Sequence, residues 1–238
     1  MKKTLGTLVA ILLAVSPVLA QSVNSVPFDK RLKLAQVGDE DAQLSVAEAY
    51  ESGADGADLN PAEAAKFYRL AALQGNVEAQ YRLARIVAKG AKGLKQDFAT
   101  SAKLYQDAAS KGNAKAMNAL GQLYQNGQGV PADPAKAVEW YRKAADLKLA
   151  DAQNNLGVMY LNGKGVTRDL AQAFKLFQEA SAQGDPWGLN NLGGMYEMGW
   201  GTEKDAKKAA DFYHQAAAKG NSAAVTNERR LAAASSDQ

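Results

Sequence analysis

Small and apolar residues recur along this chain in a helical stripe that repeats about every 36 positions. Between residues 116 and 124, Ala116, Leu120 and Tyr124 stand at i, i+4 and i+8, which places them on one face of an α-helix. The same stripe reads AQYRLARIV from Ala79, AQNNLGVMY from Ala152 and GLNNLGGMY from Gly188, with an earlier copy, AQLSVAEAY, from Ala42. Its small head residue falls at Ala42, Ala79, Ala116, Ala152, Gly188 and Ala224, in steps of 37, 37, 36, 36 and 36 residues. Self-similarity at a fixed period of this length is the signature of a repeat architecture.

A second stripe follows in phase. Tyr68, Tyr105, Tyr141, Phe177 and Tyr213 each precede a small pair such as Ala71-Ala72 or Ala108-Ala109, so each unit predicts two antiparallel helices. The first helix stops at a glycine (Gly127, Gly163, Gly199), which takes the left-handed C-cap conformation without steric cost. The second starts at Asn60, Asp97, Asp133, Asp169 or Asp205, whose side chains accept from free N–H groups of the first turn. Pro61 and Pro134 then take the first helical position, where a missing N–H is harmless. Gly75, Gly112, Gly184 and Gly220 close the units, with Lys148 the exception. Gly121, Gly157 and Gly193 fall inside first helices, where glycine costs about 1 kcal/mol relative to alanine. Close helix approach, with a second-helix aromatic across the bare backbone, is the expected offset.

One helix pair cannot bury both of its apolar faces, so the units must stack into a continuous core. The predicted fold is all-α: an α-solenoid of antiparallel helix pairs over residues 29–234, with about five full repeats and terminal half-repeats or caps. Phe28 to Gln36 is in phase with a second helix. In the last unit Glu228 and Arg229 replace the Leu and Gly of the stripe, as a polar end cap requires. Residues 21–28 read as a flexible leader and 235–238 as a frayed tail.

The first twenty residues follow a different pattern. Lys2 and Lys3 precede an apolar run from Leu5 to Val15, and Pro17-Val18-Leu19-Ala20 supplies small residues at −3 and −1 of a cleavage site before Gln21. That order predicts a signal peptide cleaved after Ala20, and therefore a periplasmic protein, with secretion as the alternative. No later stretch reaches 18 apolar residues, so no integral membrane segment is expected after cleavage. The chain has no cysteine, which excludes disulfides, thiolate metal sites and a lipidated N-terminus. Without Lys2 and Lys3, the 28 basic residues fall to 26 against 25 acidic ones, so the mature chain carries no electrostatic footprint for nucleic acid.

The quoted motifs carry a resemblance. AMNALGQLYQNGQGVPADPAKAVEWYRKAA and AQNNLGVMYLNGKGVTRDLAQAFKLFQEA resemble the Sel-one-like repeat family, a subfamily of the tetratricopeptide-type α-solenoids. The resemblance covers nearly the whole mature chain and implies a right-handed superhelix whose first helices line a concave groove. It also implies an adaptor or regulator, often in a bacterial envelope complex. The first two units depart from the motif: residues 53–56 and 90–93 read GADG and GAKG, with one extra loop residue, and Val87 replaces the stripe tyrosine.

Candidate chemistry is sparse. His214 is the one histidine, so no second candidate supports a catalytic dyad or an HExxH zinc site. Gly163-Lys164-Gly165 is no phosphate loop, because Val158 stands where glycine is needed and no Ser or Thr follows Lys164. No enzyme activity and no cofactor is expected. With first helices lining the groove, one column reads Leu44, Tyr81, Asn118, Asn154, Asn190, and the next Glu48, Arg85, Gln122, Val158, Gly194. The asparagines either offer amides to an extended peptide or hydrogen-bond within the solenoid. Trp187 and Trp200 break their columns, and exposed tryptophan is enriched at binding hot spots, whereas Trp140 matches the motif and reads as core. The expected partner contacts are Tyr81, Arg85, Asn118, Gln122, Asn154, Trp187, Asn190 and Trp200. The function expected is a binding adaptor for a protein or peptide. A toxin-neutralising inhibitor is the alternative, and a peptidoglycan-associated enzyme the least favoured.

Overall fold

The computed structural model describes residues 26–236, so the predicted signal peptide and its cleavage point lie outside the described residues. Twelve helices occupy the described chain: α1 Phe28–Gln36, α2 Glu40–Ser52, α3 Pro61–Leu73, α4 Val77–Lys89, α5 Phe98–Ser110, α6 Ala114–Asn126, α7 Pro134–Asp146, α8 Ala150–Asn162, α9 Leu170–Ala182, α10 Pro186–Met198, α11 Ala206–Ala218 and α12 Ser222–Ser236. Each helix packs on its neighbours in sequence, and α8 also touches α10. The first helices of adjacent units therefore stand side by side, as an α-solenoid requires.

The boundaries follow from capping. Asn60, Asp97, Asp133 and Asp205 each accept from the N–H three residues on, at 2.9–3.2 Å, and Asp169 accepts from Ala171 and Gln172 at 3.0 Å. The first helices are capped the same way by Asp39, Asn76, Asn113, Asp185 and Asn221, a set the sequence reading did not single out. At α8 the capping position holds Leu149, which has no capping side chain, and Lys148 before it takes the left-handed φ of 63° that glycine takes in the other units.

The glycines inside the first helices are where the units lock. A Cβ on Gly121 would lie 2.5 Å from the Tyr141 ring, one on Gly157 2.7 Å from Phe177, and one on Gly193 2.9 Å from Tyr213. The rings are buried against bare backbone, and this contact offsets the glycine propensity cost.

Three expectations need correction. Phe28 does not belong to the leader: it opens α1 and meets Tyr50 edge-on at 5.4 Å. At the other end α12 runs to Ser236, into the predicted tail. Trp140 is only half-buried, lying against the core with Lys143 Nζ 4.1 Å above its ring, because α7 presents that face to solvent.

Candidate interaction groove

Four of the predicted contacts meet in one place. Tyr81 and Arg85 from α4 and Asn118 and Gln122 from α6 line a groove of about 340 Å³, closed by Tyr105 of α5 and by Leu149 and Asp151 at the start of α8. A second groove of about 450 Å³ adjoins it, sharing Tyr105, Ala119 and Gln122 and adding Ala88, Gln125 and Tyr141. Glu78, Lys115 and Asp151 of the first groove occupy one repeat column, and Trp187, 53% exposed, continues that column on α10.

The asparagine column is a ladder inside the solenoid. Asn155 Nδ2 donates to Asn118 Oδ1 at 2.9 Å, Asn191 to Asn154 at 2.8 Å, and Asn227 to Asn190 at 3.0 Å. Each rung joins neighbouring first helices, so the carbonyl ends of Asn118, Asn154 and Asn190 are committed to the scaffold. Of the two uses open to these asparagines, their carbonyl ends take the one within the solenoid. Trp200 is half-buried against the core cluster of Ala173, Phe177, Leu192 and Met195, with the Arg168 guanidinium 6.0 Å from its ring.

The first two units are joined by charge instead. Arg82 reaches Glu78 at 2.6 Å, Glu48 at 3.3 Å and Glu51 at 3.7 Å, and Arg85 pairs with Glu51, which also accepts from the Tyr68 hydroxyl at 2.6 Å. Burial disfavours the charge on Arg85, but its bond to Glu51 outweighs this and raises its pKa. Arg85 is thus a partly committed cation. Tyr81 lies 5.9 Å from Tyr105, ring centre to ring centre, and burial raises the pKa of both phenols, that of Tyr105 to about 12.

Between these two regimes lies a seam. Asn or Arg side chains bond across every other junction, but Tyr81 and Ala119 stand where the asparagine rung would be formed between α4 and α6. Among the described residues, no side-chain hydrogen bond or ion pair joins unit 77–113 to unit 114–149, apart from the Asn113 cap at the junction itself. Apolar packing holds the seam, through a core that includes Ala84, Tyr105, Leu120 and Tyr141. Sequence reasoning missed Arg82, Ala88, Tyr105 and Lys115; the column comparison that flagged Trp187 would have found Ala88, which together with Leu161 departs from Glu51, Gln125 and Glu197.

His214 lies far along the chain on α11, 74% exposed and 2.9 Å from Glu228. Among the described residues, no group of three His, Asp or Glu side chains is placed to hold a metal, and no helix is long and apolar enough to cross a membrane.

Among solved structures, the chain is similar to c5321, a protective antigen present in uropathogenic Escherichia coli strains and displaying an SLR fold, with 32% identity and a TM-score of 0.77 over 87% of this chain. It spans only 44% of that longer chain. It is also similar to a Sel1 repeat protein from Oxalobacter formigenes, with 29% identity and a TM-score of 0.73, covering 79% of this chain and 75% of the other. Immunity protein Pa5087 from Pseudomonas aeruginosa, 19% identical with a TM-score of 0.54 over 86% of this chain and 76% of its own, shares the fold. Comparison with curated proteins gave no match. The Sel1 repeat model matches residues 40–76, 77–113, 114–149, 150–185 and 188–221, in step with the helix pairs. With about three quarters of its length in five such copies, this chain belongs to the Sel1 repeat family, whose fold serves protein–protein interaction.

Proposed function

We propose that this chain is an exported, non-enzymatic adaptor that holds a segment of a partner protein in the groove across α4, α6 and the start of α8. The observation that carries the reading is the seam between units 77–113 and 114–149. There the first-helix face lacks the cross-unit bonds found at the other junctions, and it turns Tyr81, Asn118 and Gln122 toward open grooves of about 340 and 450 Å³. Polar side chains spared from the scaffold hydrogen-bond to what enters the groove, and the Tyr81–Tyr105 pair supplies apolar area at low conformational cost. Export to the periplasm is supported by Lys2-Lys3, the Leu5–Val15 run and the Ala20–Gln21 boundary.

The test places a photo-reactive amino acid at Tyr81 or Gln122 in intact cells, with Lys175 on the outer helix α9 as the control position. One protein attached from both groove positions and not from Lys175 is the expected result. Equal labelling from all three positions, or none from the groove, would overturn the reading. Sequencing the purified N-terminus is expected to start at Gln21. An exported toxin as the attached protein would make the role neutralisation; a resident envelope protein would make it scaffolding.

A further inference from the structure

The two loops with an extra residue stand side by side, and they change what lies between them. In the third, fourth and fifth units the loop joining the two helices reads Gly-x-Gly and ends at Gly129, Gly165 and Gly201. Each of these glycines lies against the start of the preceding second helix, where a Cβ would overlap the backbone of Phe98, Pro134 or Leu170. That approach closes the space between neighbouring loops. In the second unit the extra residue removes it: a Cβ on Gly93 would meet no backbone, only the Ala62 side chain at 3.4 Å. Ala91 and Leu94 bond to each other at 2.8 and 2.9 Å, so residues 91–94 form a tight hairpin with Lys92 in its turn.

A groove of about 430 Å³ opens between this hairpin, the start of α3 and the end of α4. Leu59, Pro61, Ile86 and Ala91 form its apolar walls. Leu59 is 66% exposed, in a column where other units cap the end of the preceding helix. There Gln96 donates to the Ala88 carbonyl at 2.8 Å and Arg168 to that of Leu161 at 3.0 Å. Leucine has no donor, so capping does not account for it. Of the charged groups lining the groove, Glu51 and Arg85 pair with each other, and Glu51 also accepts from Tyr68 at 2.6 Å. Lys89 is left without a carboxylate among the described residues, as are Lys92 and Lys95 of the adjoining hairpin. Asp97 accepts from the Thr100 hydroxyl and N–H at 2.6 and 2.9 Å, and Asp58, although next to Leu59 in the chain, does not line the groove.

We infer that this groove docks a segment of a partner protein in which a leucine-like side chain is flanked by carboxylates. The apolar group enters between Leu59 and Ile86, and the acids face Lys89, Lys92 and Lys95. Covering apolar surface that stands open to water is favourable, and three uncompensated cations beside it choose the charge of what covers it. The site lies apart from the groove across α4 and α6, with Arg85 lining both, and neither needs the other to bind. Exposed ion pairs are individually weak, so the three lysines together are expected to strengthen binding of the acidic segment about tenfold.

The test follows the fluorescence anisotropy of fluorescein-labelled Glu-Glu-Leu-Glu-Glu-NH2 on titration with the full chain. Lys-Lys-Leu-Lys-Lys-NH2 and Glu-Glu-Ala-Glu-Glu-NH2 are the comparison probes. The acidic leucine peptide is expected to bind saturably, about tenfold tighter than either comparison probe, and more weakly as salt is raised. Leu59→Gln, which copies Gln96, is expected to remove the preference for leucine over alanine with a melting temperature no lower than the parent's. The combined Lys89→Gln, Lys92→Gln and Lys95→Gln variant is expected to remove the preference for acidic over basic flanks. Lys164→Gln, on the exposed α8–α9 loop, is expected to change neither. Equal affinity for the leucine and alanine peptides, binding untouched in the folded Leu59 or triple-lysine variant, or no saturable binding, would overturn the inference. Failure of partner capture from Tyr81 and Gln122 would sink the groove reading above and leave this one standing.

Discussion

Gly157 of α8 and Gly194 of α10 are both helical glycines, yet their surroundings set opposite outcomes for alanine. A Cβ at Gly157 would lie 2.7 Å from the Phe177 ring, which is fully buried and has nowhere to move. Overpacking of that kind costs about 1–3 kcal/mol, more than the propensity gain of about 1 kcal/mol. Gly157→Ala is therefore expected to lower the unfolding midpoint in denaturant. At Gly194 the nearest atom, the Tyr213 hydroxyl, would stand at an ordinary 3.5 Å, so Gly194→Ala is expected to raise the midpoint by the equivalent of about 1 kcal/mol. The close approach at Gly121, Gly157 and Gly193 was legible in the sequence, because a costly residue recurring at one column demands an offset. The commitment of the Asn118, Asn154 and Asn190 carbonyls was not. Their donors sit 37 residues away, and either use of an amide satisfies the same local pattern.

At the scale of the helix, α12 shows what ends a stack. Its stripe position holds Glu228 instead of leucine, and Arg230 ties the helix back to Glu197 of α10. The bond from Arg230, helped by that from Tyr213, holds the Glu197 carboxyl below its usual range. A depressed folded pKa means this contribution is complete above the unfolded value of about 4.3 and is lost as pH falls through the folded value. Acid is thus expected to loosen α12 before the inner helices, read as faster amide exchange in α12 below about pH 4. Glu197→Gln is expected to remove that pH dependence while costing about 1 kcal/mol at neutral pH, the Arg230 side being exposed. If α12 exchanged at one rate across the acid range, Glu197 would not be its anchor. The helix ends themselves were legible, because Asp, Asn, Pro and Gly act within one turn of where they stand.

Over the whole molecule the solenoid is held in two different ways. Ion pairs among Arg82, Arg85, Glu48, Glu51 and Glu78 join the first two units, whereas uncharged asparagine rungs join the units from α6 to α12, with the Arg230–Glu197 pair added at the last junction. Salt near 1 M shortens the Debye length to about 3 Å, so it is expected to speed amide exchange in α2 and α4 while leaving α6 and α8 unchanged. Equal acceleration along the chain would contradict this division. Where the two regimes meet, neither kind of bond is present, and the candidate groove opens there. The sequence by itself determined the repeat, the helix pairs, their caps and the family, because these depend on spacing within a turn and on columns repeated at a fixed period. It also placed Tyr81, Arg85, Asn118 and Gln122 on one face. Only the tertiary structure decided which of those groups remain available, since hydrogen bonds and ion pairs between residues about 35 apart form only once neighbouring helices are packed side by side. A missing bond, such as the asparagine rung absent where Tyr81 and Ala119 face each other, shows only when the bonds around it can be seen.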